Sequence, residues 1–231
     1  MDFLSQSQER QMTTQSNFLA KVYGWMAFAL LLTAGTAFYV ASSPSLIQAV
    51  YGNKILFWGL MIAELVLVFT VSGAINRISS SVATLLFFLY SLLNGVTMAF
   101  IFSVYTGESI AYTFMITAGT FGAMSLFGYV TKQDLTKFGS IALMALIGVI
   151  IASVVNIFLK SSTLYWIITI VGVLVFVGLV AYDTQKLKQL SRAGYDSETQ
   201  RKLSVIGALT LYLDFINLFL FFLNIFGGRR N

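Results

Sequence analysis

The sequence predicts an all-α integral membrane protein with seven transmembrane helices. Of its 231 residues 58% are hydrophobic and only 10% charged, against roughly a quarter charged in soluble domains. Mean hydropathy is +0.83. Apolar runs of about the ~20 residues that a bilayer core requires recur between short polar breaks. Lipid is therefore the expected solvent of this chain.

Residues 1–20 form a polar stretch. Its first part, MDFLSQSQERQMTTQS, lacks the basic-then-apolar order and small-residue cleavage site of a secretory signal, and is read as a disordered cytosolic tail. Residues 21–231 read as a single transmembrane domain. The first run, 21–41, ends before SSPS, which holds the sole proline, Pro44. The second, 55–74, lies between GNK and NRISS and carries Glu64. The third, 82–104, stops at TGE. In the fourth, 109–130, Ala118 with Gly122 and Gly119 with Ala123 offer small residues at the i, i+4 spacing that allows close helix approach. The fifth, 140–159, is bounded by TKQDLTK and LKSS. The sixth, 164–185, leads into the basic segment KLKQLSRAGYDSETQRK, and 203–226 completes the set. No internal repeat is visible, so transporter folds built on inverted repeats gain no support.

Orientation follows from the basic residues on alternate sides. Arg10, Lys21, Arg77, Lys132, Lys137, Lys186, Lys188, Arg192, Arg201 and Lys202 fall on one side; Lys54, Lys160, Arg229 and Arg230 fall on the other. The tail and the long basic loop are thus expected in the cytosol and the C-terminus outside. A re-entrant last run, which would return the C-terminus to the cytosol, is the alternative. The net charge of +5 reports topology, not nucleic-acid binding. With no Cys and no His, disulfides, thiol nucleophiles and Cys/His metal sites are excluded.

Six of the nine carboxylates fall in the tail or loops, where water explains them. Glu64, Asp183 and Asp214 fall inside apolar runs. An ionised carboxylate at mid-helix costs on the order of 3 kcal/mol even on lenient insertion scales, so function is the default hypothesis. For Asp183 the bland alternative is an interfacial ion pair with Lys186, one turn on. For Glu64 the basic residue on its own helix, Arg77, is too far along the axis for a direct pair. Asp214 belongs to a stripe: Gly207, Thr210, Asp214, Asn217 and Asn224 share one helical face of an otherwise Leu-, Phe- and Ile-rich helix. Such a helix suits a central position, its stripe lining a polar path or a buried hydrogen-bonded network. Carboxylates brought together in a dry site can share a proton. They can also offer hard oxygen ligands to Ca²⁺ or another cation, helped by Asn217, backbone carbonyls and water. Protonation abolishes the second use.

The segments GALTLYLDFINLFLFFLNIFG at 207–227 and VGLVAYDTQKLK at 177–188 strongly resemble the bacterial branch of the Bax inhibitor-1 family. FGAMSLFGYVTKQDLTKFGS at 121–140 and KVYGWMAFALLLTA at 21–34 resemble the same family, so the similarity covers nearly the whole chain. The resemblance implies a last helix wrapped by the other six and a pH-sensitive calcium leak. Asp183 and Asp214 match the family's pH-sensing pair, with contributions from an acid matched by Glu64 and an arginine for which Arg77 is the candidate. It also implies a bacterial inner-membrane location and no cofactor beyond Ca²⁺ as the transported or bound ion. The alternative function is a membrane interaction protein that modulates a membrane-bound protease. No enzyme is expected: Tyr212, Leu213 and Asp214 stand where intramembrane aspartyl proteases need a Gly-containing motif, and the last run has no Lys for a Schiff base.

Overall fold

The structure is a computed structural model and describes residues 2–230, with side chains described over 15–230. Among the described residues the chain is helical, in chain order α1 (Asp2–Ala41), α2 (Pro44–Gly52), α3 (Lys54–Gly73), α4 (Ser80–Met98), α5 (Ile101–Val104), α6 (Gly107–Val130), α7 (Thr136–Leu159), α8 (Ser162–Leu190) and α9 (Ser197–Phe226). Seven spans are long and apolar enough to cross a membrane. The seventh, α9, is one uninterrupted helix of 30 residues, or about 45 Å. That length spans a bilayer core without the break a re-entrant segment needs.

Side chains close the helix ends. Asn53 Oδ1 accepts the N–H of Ile55 at 3.0 Å and of Leu56 at 3.1 Å ahead of α3. Ser79 and Thr106 cap α4 and α6 in the same way. Pro44 opens α2 at the position where a missing N–H costs nothing.

The chain divides into two compact units. The first comprises 1–105, 189–212 and 230–231, and the second 106–188 and 213–229. In the first, α4 packs against α1 and α3. Its buried face, Ser80, Ala83, Phe87, Tyr90, Ser91, Asn94, Gly95 and Met98, keeps helical period. In the second, Ala142 of α7, Phe176 and Leu179 of α8 and Leu218 and Phe222 of α9 make an apolar cluster. Phe114 and Phe121 of α6 set their rings against Phe215 of α9, both at 5.4 Å between centroids.

Two sequence expectations are corrected and a third is refined. The helix reaches beyond Lys21: residues 15–20 are helical, with Gln15, Phe18 and Leu19 buried. Phe18, Val22, Met26 and Ala29 form one continuous buried stripe, which is why the polar stretch does not end where composition changes. The backbone is helical from Asp2 onward, which corrects the disordered tail expected within 1–20, while the side chains of 1–14 lie outside those described. The run expected over 82–104 is a single span, Ser80–Val104, but it kinks between α4 and α5, where Tyr51 enters the ladder. Its hydroxyl accepts the Phe100 N–H at 2.8 Å and donates toward the Val96 and Thr97 carbonyls at 2.8 and 3.0 Å. A side chain that replaces lost helix bonds is a recognised cause of a kink. Finally, Gly119 and Gly122 face open space, because a Cβ at either would meet nothing within 4 Å. Close approach occurs instead at Gly128, where a Cβ would fall on the Ala181 backbone, and at Gly139, where it would fall on the Tyr182 ring. Both contacts flank Asp183.

Gly128→Ala is therefore expected to destabilise the protein by about 1–3 kcal/mol through overpacking. Gly122→Ala should be neutral within about 0.5 kcal/mol. Thermal unfolding in detergent, followed by circular dichroism, distinguishes the two.

Candidate functional site

Two buried acidic sites lie in different units. In the second unit, α8 supplies Asp183 and α9 supplies Asp214, which are 9% and 5% exposed. The two side chains lie within hydrogen-bonding reach of each other. Two carboxyl groups can share a hydrogen bond only while one of them carries a proton. Asp214 Oδ2 is fully enclosed and has no hydrogen-bond partner among the described residues. Lys186, one turn beyond Asp183, acts on it electrostatically, while the ammonium group also sits 5.9 Å from the Tyr182 ring centroid. The expected Asp183–Lys186 proximity is thus present beside the acid–acid contact and does not replace it.

The segment around Asp183 is held from the α6–α7 loop. The side chain of Gln185 accepts the Leu135 N–H at 2.9 Å and donates to the Gln133 carbonyl at 2.7 Å. Lys188 donates to the Tyr129 carbonyl. Facing α9, α6 presents a seam of Thr113, Thr117 and Ser125. Thr117 returns its hydroxyl to the Thr113 carbonyl at 2.8 Å, whereas the Thr113 and Ser125 hydroxyl oxygens are buried without partners among the described residues. The i, i+4 spacing of Thr113 and Thr117, continued at 121 and 125, was the signal for this seam. Reading α6 as a packing helix obscured it.

Glu64 belongs to the first unit. Oε1 accepts the Thr97 hydroxyl at 2.7 Å and Oε2 accepts the Asn94 side-chain N–H at 3.3 Å. Asn94 Oδ1 accepts from Tyr212 at 3.0 Å. The Tyr212 hydroxyl lies 2.7 Å from Thr33 Oγ1, which also reaches the Ser91 and Ala29 carbonyls at 2.9 and 3.0 Å. Glu64 therefore finds its partner on another helix, as its sequence position required, but that partner is an amide and a hydroxyl instead of a base. Tyr212 was passed over because a Tyr in an apolar helix carries no sequence signal of its role.

The other candidate residues are dispersed. Arg77 lies exposed in the turn after α3, its N–H bonded to the Ala74 carbonyl at 2.8 Å, with no ion pair among the described residues. Thr210 is half-buried, and Asn217 spends its amide hydrogen on the Leu213 carbonyl at 2.7 Å. Asn224 is half-buried near the end of α9. No group of three or more His, Cys, Asp or Glu gathers among the described residues. Resident Ca²⁺ takes six to eight oxygens, more than the two carboxyl groups of the aspartate pair supply by themselves.

Residues 15–231 match the family described as "Inhibitor of apoptosis-promoting Bax1". The chain is 54% identical over 215 residues to the Escherichia coli K12 inner membrane protein YbhL, covering 92% of each. It is 46% identical over 227 residues to a Borreliella burgdorferi protein, covering 97% of this chain and 98% of that one. A Deinococcus radiodurans protein is 41% identical over 229 residues, with 99% and 98% covered. All four segments that carry the sequence resemblance fall inside the matched residues.

Removing the Thr97 hydroxyl leaves one Glu64 oxygen without its close donor. Thr97→Val is expected to cost about 1–3 kcal/mol, the usual penalty for orphaning a buried acceptor. The double change Glu64→Leu/Thr97→Val should recover part of that loss, because it removes both partners. A double-mutant cycle of thermal unfolding in detergent measures this coupling.

Proposed function

Because this chain belongs to the Bax1-inhibitor family, we propose that it is a pH-sensitive calcium leak of the bacterial inner membrane, gated by proton exchange at Asp183 and Asp214. The observation that carries this reading is the buried acid–acid contact, with one Asp214 oxygen unanswered. Only a shared proton makes such a contact favourable; its loss sets two like charges side by side. The same loss creates a hard-oxygen site for a divalent cation. The unpartnered hydroxyl oxygens of Thr113 and Ser125, with Asn217 on α9, extend polar surface through the same unit. Calcium is cargo in this scheme, and the chain supplies the gate.

Loop acids contribute little to the response. Hydrogen bonds from Thr136 hold the Asp134 carboxyl below its usual range, and those from Thr199 do the same for Asp196. Both remain ionised from pH 8 to 5. Glu64, satisfied by Thr97 and Asn94, is assigned a supporting place in the first unit, and Arg77 one at the membrane surface.

The test is calcium uptake into dye-loaded proteoliposomes as pH is stepped from about 8 to 5, a span chosen for paired carboxyls. Wild-type flux should titrate. Asp214→Asn should lose that pH dependence, and Glu64→Gln should retain it. Absence of flux above empty liposomes at every pH would overturn the leak and favour the protease-modulating role.

The basic loops support an N-terminus in the cytosol, and an odd number of spans then implies a C-terminus outside. Because the natural chain has no Cys, a single Gly228→Cys substitution gives an unambiguous label. It should react with an impermeant maleimide from the periplasmic side only; labelling from the cytosol alone would reverse the topology.

A further inference from the structure

The first turns of α4 and α9 and the middle of α1, all in the first unit, surround a groove of about 430 Å³ lined by Lys21, Trp25, Ser81, Thr84 and Arg201, among others. A second hollow of about 250 Å³ shares Lys21 and Arg201 and adds Asn17, Ser197 and Gln200. We propose that this groove binds the phosphate of an anionic lipid headgroup.

The free hydrogen-bonding capacity of the groove consists of donors. Neither Lys21 nor Arg201 makes an ion pair among the described residues. Ser81, exposed in the first turn of α4, has no hydrogen-bond partner among them either. The neighbouring hydroxyl hydrogens are already committed: Thr84 donates to the Ser80 carbonyl at 2.9 Å and Ser204 to the Arg201 carbonyl at 2.7 Å. The nearest acid, Glu198, is engaged as well. It accepts the Ser80 N–H at 2.8 Å and the Ser80 hydroxyl at 3.0 Å, which ties the start of α9 to the start of α4. The two cations that line the hollows, Lys21 and Arg201, thus meet no acid among the lining residues. Unpaired cations beside a free hydroxyl fit a phosphate, and repel a metal ion.

Depth selects a lipid over a dissolved anion. Counted back from its other end at Ala41, Lys21 lies about 30 Å along α1, the full thickness of a bilayer core. Arg201 lies four residues into Ser197–Phe226, about 6 Å along. Both therefore sit near headgroup level, within reach by snorkelling. Trp25, one turn beyond Lys21 and 37% exposed, takes the place of an interfacial aromatic. Basic pockets between transmembrane helices on the cytosolic side meet the leaflet rich in anionic lipid.

The test uses the full chain in detergent, titrated with phosphatidylglycerol, phosphatidylcholine or inorganic phosphate and read by native mass spectrometry. Phosphatidylglycerol should be retained in preference to phosphatidylcholine. Lys21→Gln/Arg201→Gln should weaken its binding by roughly 30-fold, at about fivefold per cation. Lys21→Arg/Arg201→Lys should restore it, and Lys160→Gln, a cation outside this groove, should change nothing. Should the double Gln variant fail to fold, Ser81→Asp, which sets a like charge in the groove from an exposed position, should weaken binding by itself. Retention unchanged in a folded double Gln variant, or in Ser81→Asp, would overturn the proposal. Displacement of the lipid by millimolar inorganic phosphate would overturn the lipid assignment in favour of a free-phosphate site.

Discussion

In hydrocarbon a buried acid can be answered only by the protein itself, and the polar architecture of this chain follows from that constraint. Glu64 and Asp214 meet it in opposite ways. Glu64 has a donor for each oxygen, and behind Asn94 stands a chain of hydroxyls that ends on backbone carbonyls. Asp214 has another acid as its neighbour and one oxygen with no partner. A fully satisfied network rigidifies its surroundings, whereas a partly satisfied one is held in place only by the structure around it.

That surrounding structure is visible around Asp183. Gly128 lets α6 approach the Ala181 backbone, and Gly139 lets α7 lie on the Tyr182 ring. Gln185 ties the α6–α7 loop to the same turn of α8. Two successive positions, Ala181 and Tyr182, immediately before Asp183, are thus fixed by contacts that tolerate no added methyl group. The rigidity matters because a carboxyl–carboxyl contact is favourable in a single protonation state. Free side chains would separate as soon as the proton left, whereas fixed ones keep the two charges confronted.

Much of this was legible in the sequence. Spans show because lipid demands long apolar runs, and Asp183 and Asp214 show because acids inside such runs are rare. What was hidden depends on the identity of neighbours. Tyr51 kinks the third run by donating to and accepting from backbone groups of α4, and nothing local at 96–100 announces it. Thr97 and Asn94 read as ordinary polar residues until α3 places Glu64 against them. Glycines misled for the same reason: spacing marks where close approach is possible, and only packing decides whether Gly122 or Gly128 meets a neighbour. The early start of the first span was missed because Phe18 and Leu19 stand among polar residues that dilute the local hydropathy.

Stability alone gives no reason for an acid at position 214. Asn is nearly isosteric with Asp, and it would carry both a donor for Asp183 and an acceptor, without the cost of a charge in the membrane, on the order of 3 kcal/mol. Gln at position 64 would keep an acceptor for Thr97, but its NH2 would face the Asn94 NH2, whose Oδ1 already accepts from Tyr212, so Glu64 answers two donors that its amide could not. The two acids therefore differ in what an amide replaces. At 64 an amide loses one of the two hydrogen bonds that the carboxylate accepts; at 214 it supplies a donor for Asp183 while removing the capacity to gain and lose a proton. An acid kept where its amide would serve folding better is explained by that capacity, which ties the gating proposal to this position and not to Glu64.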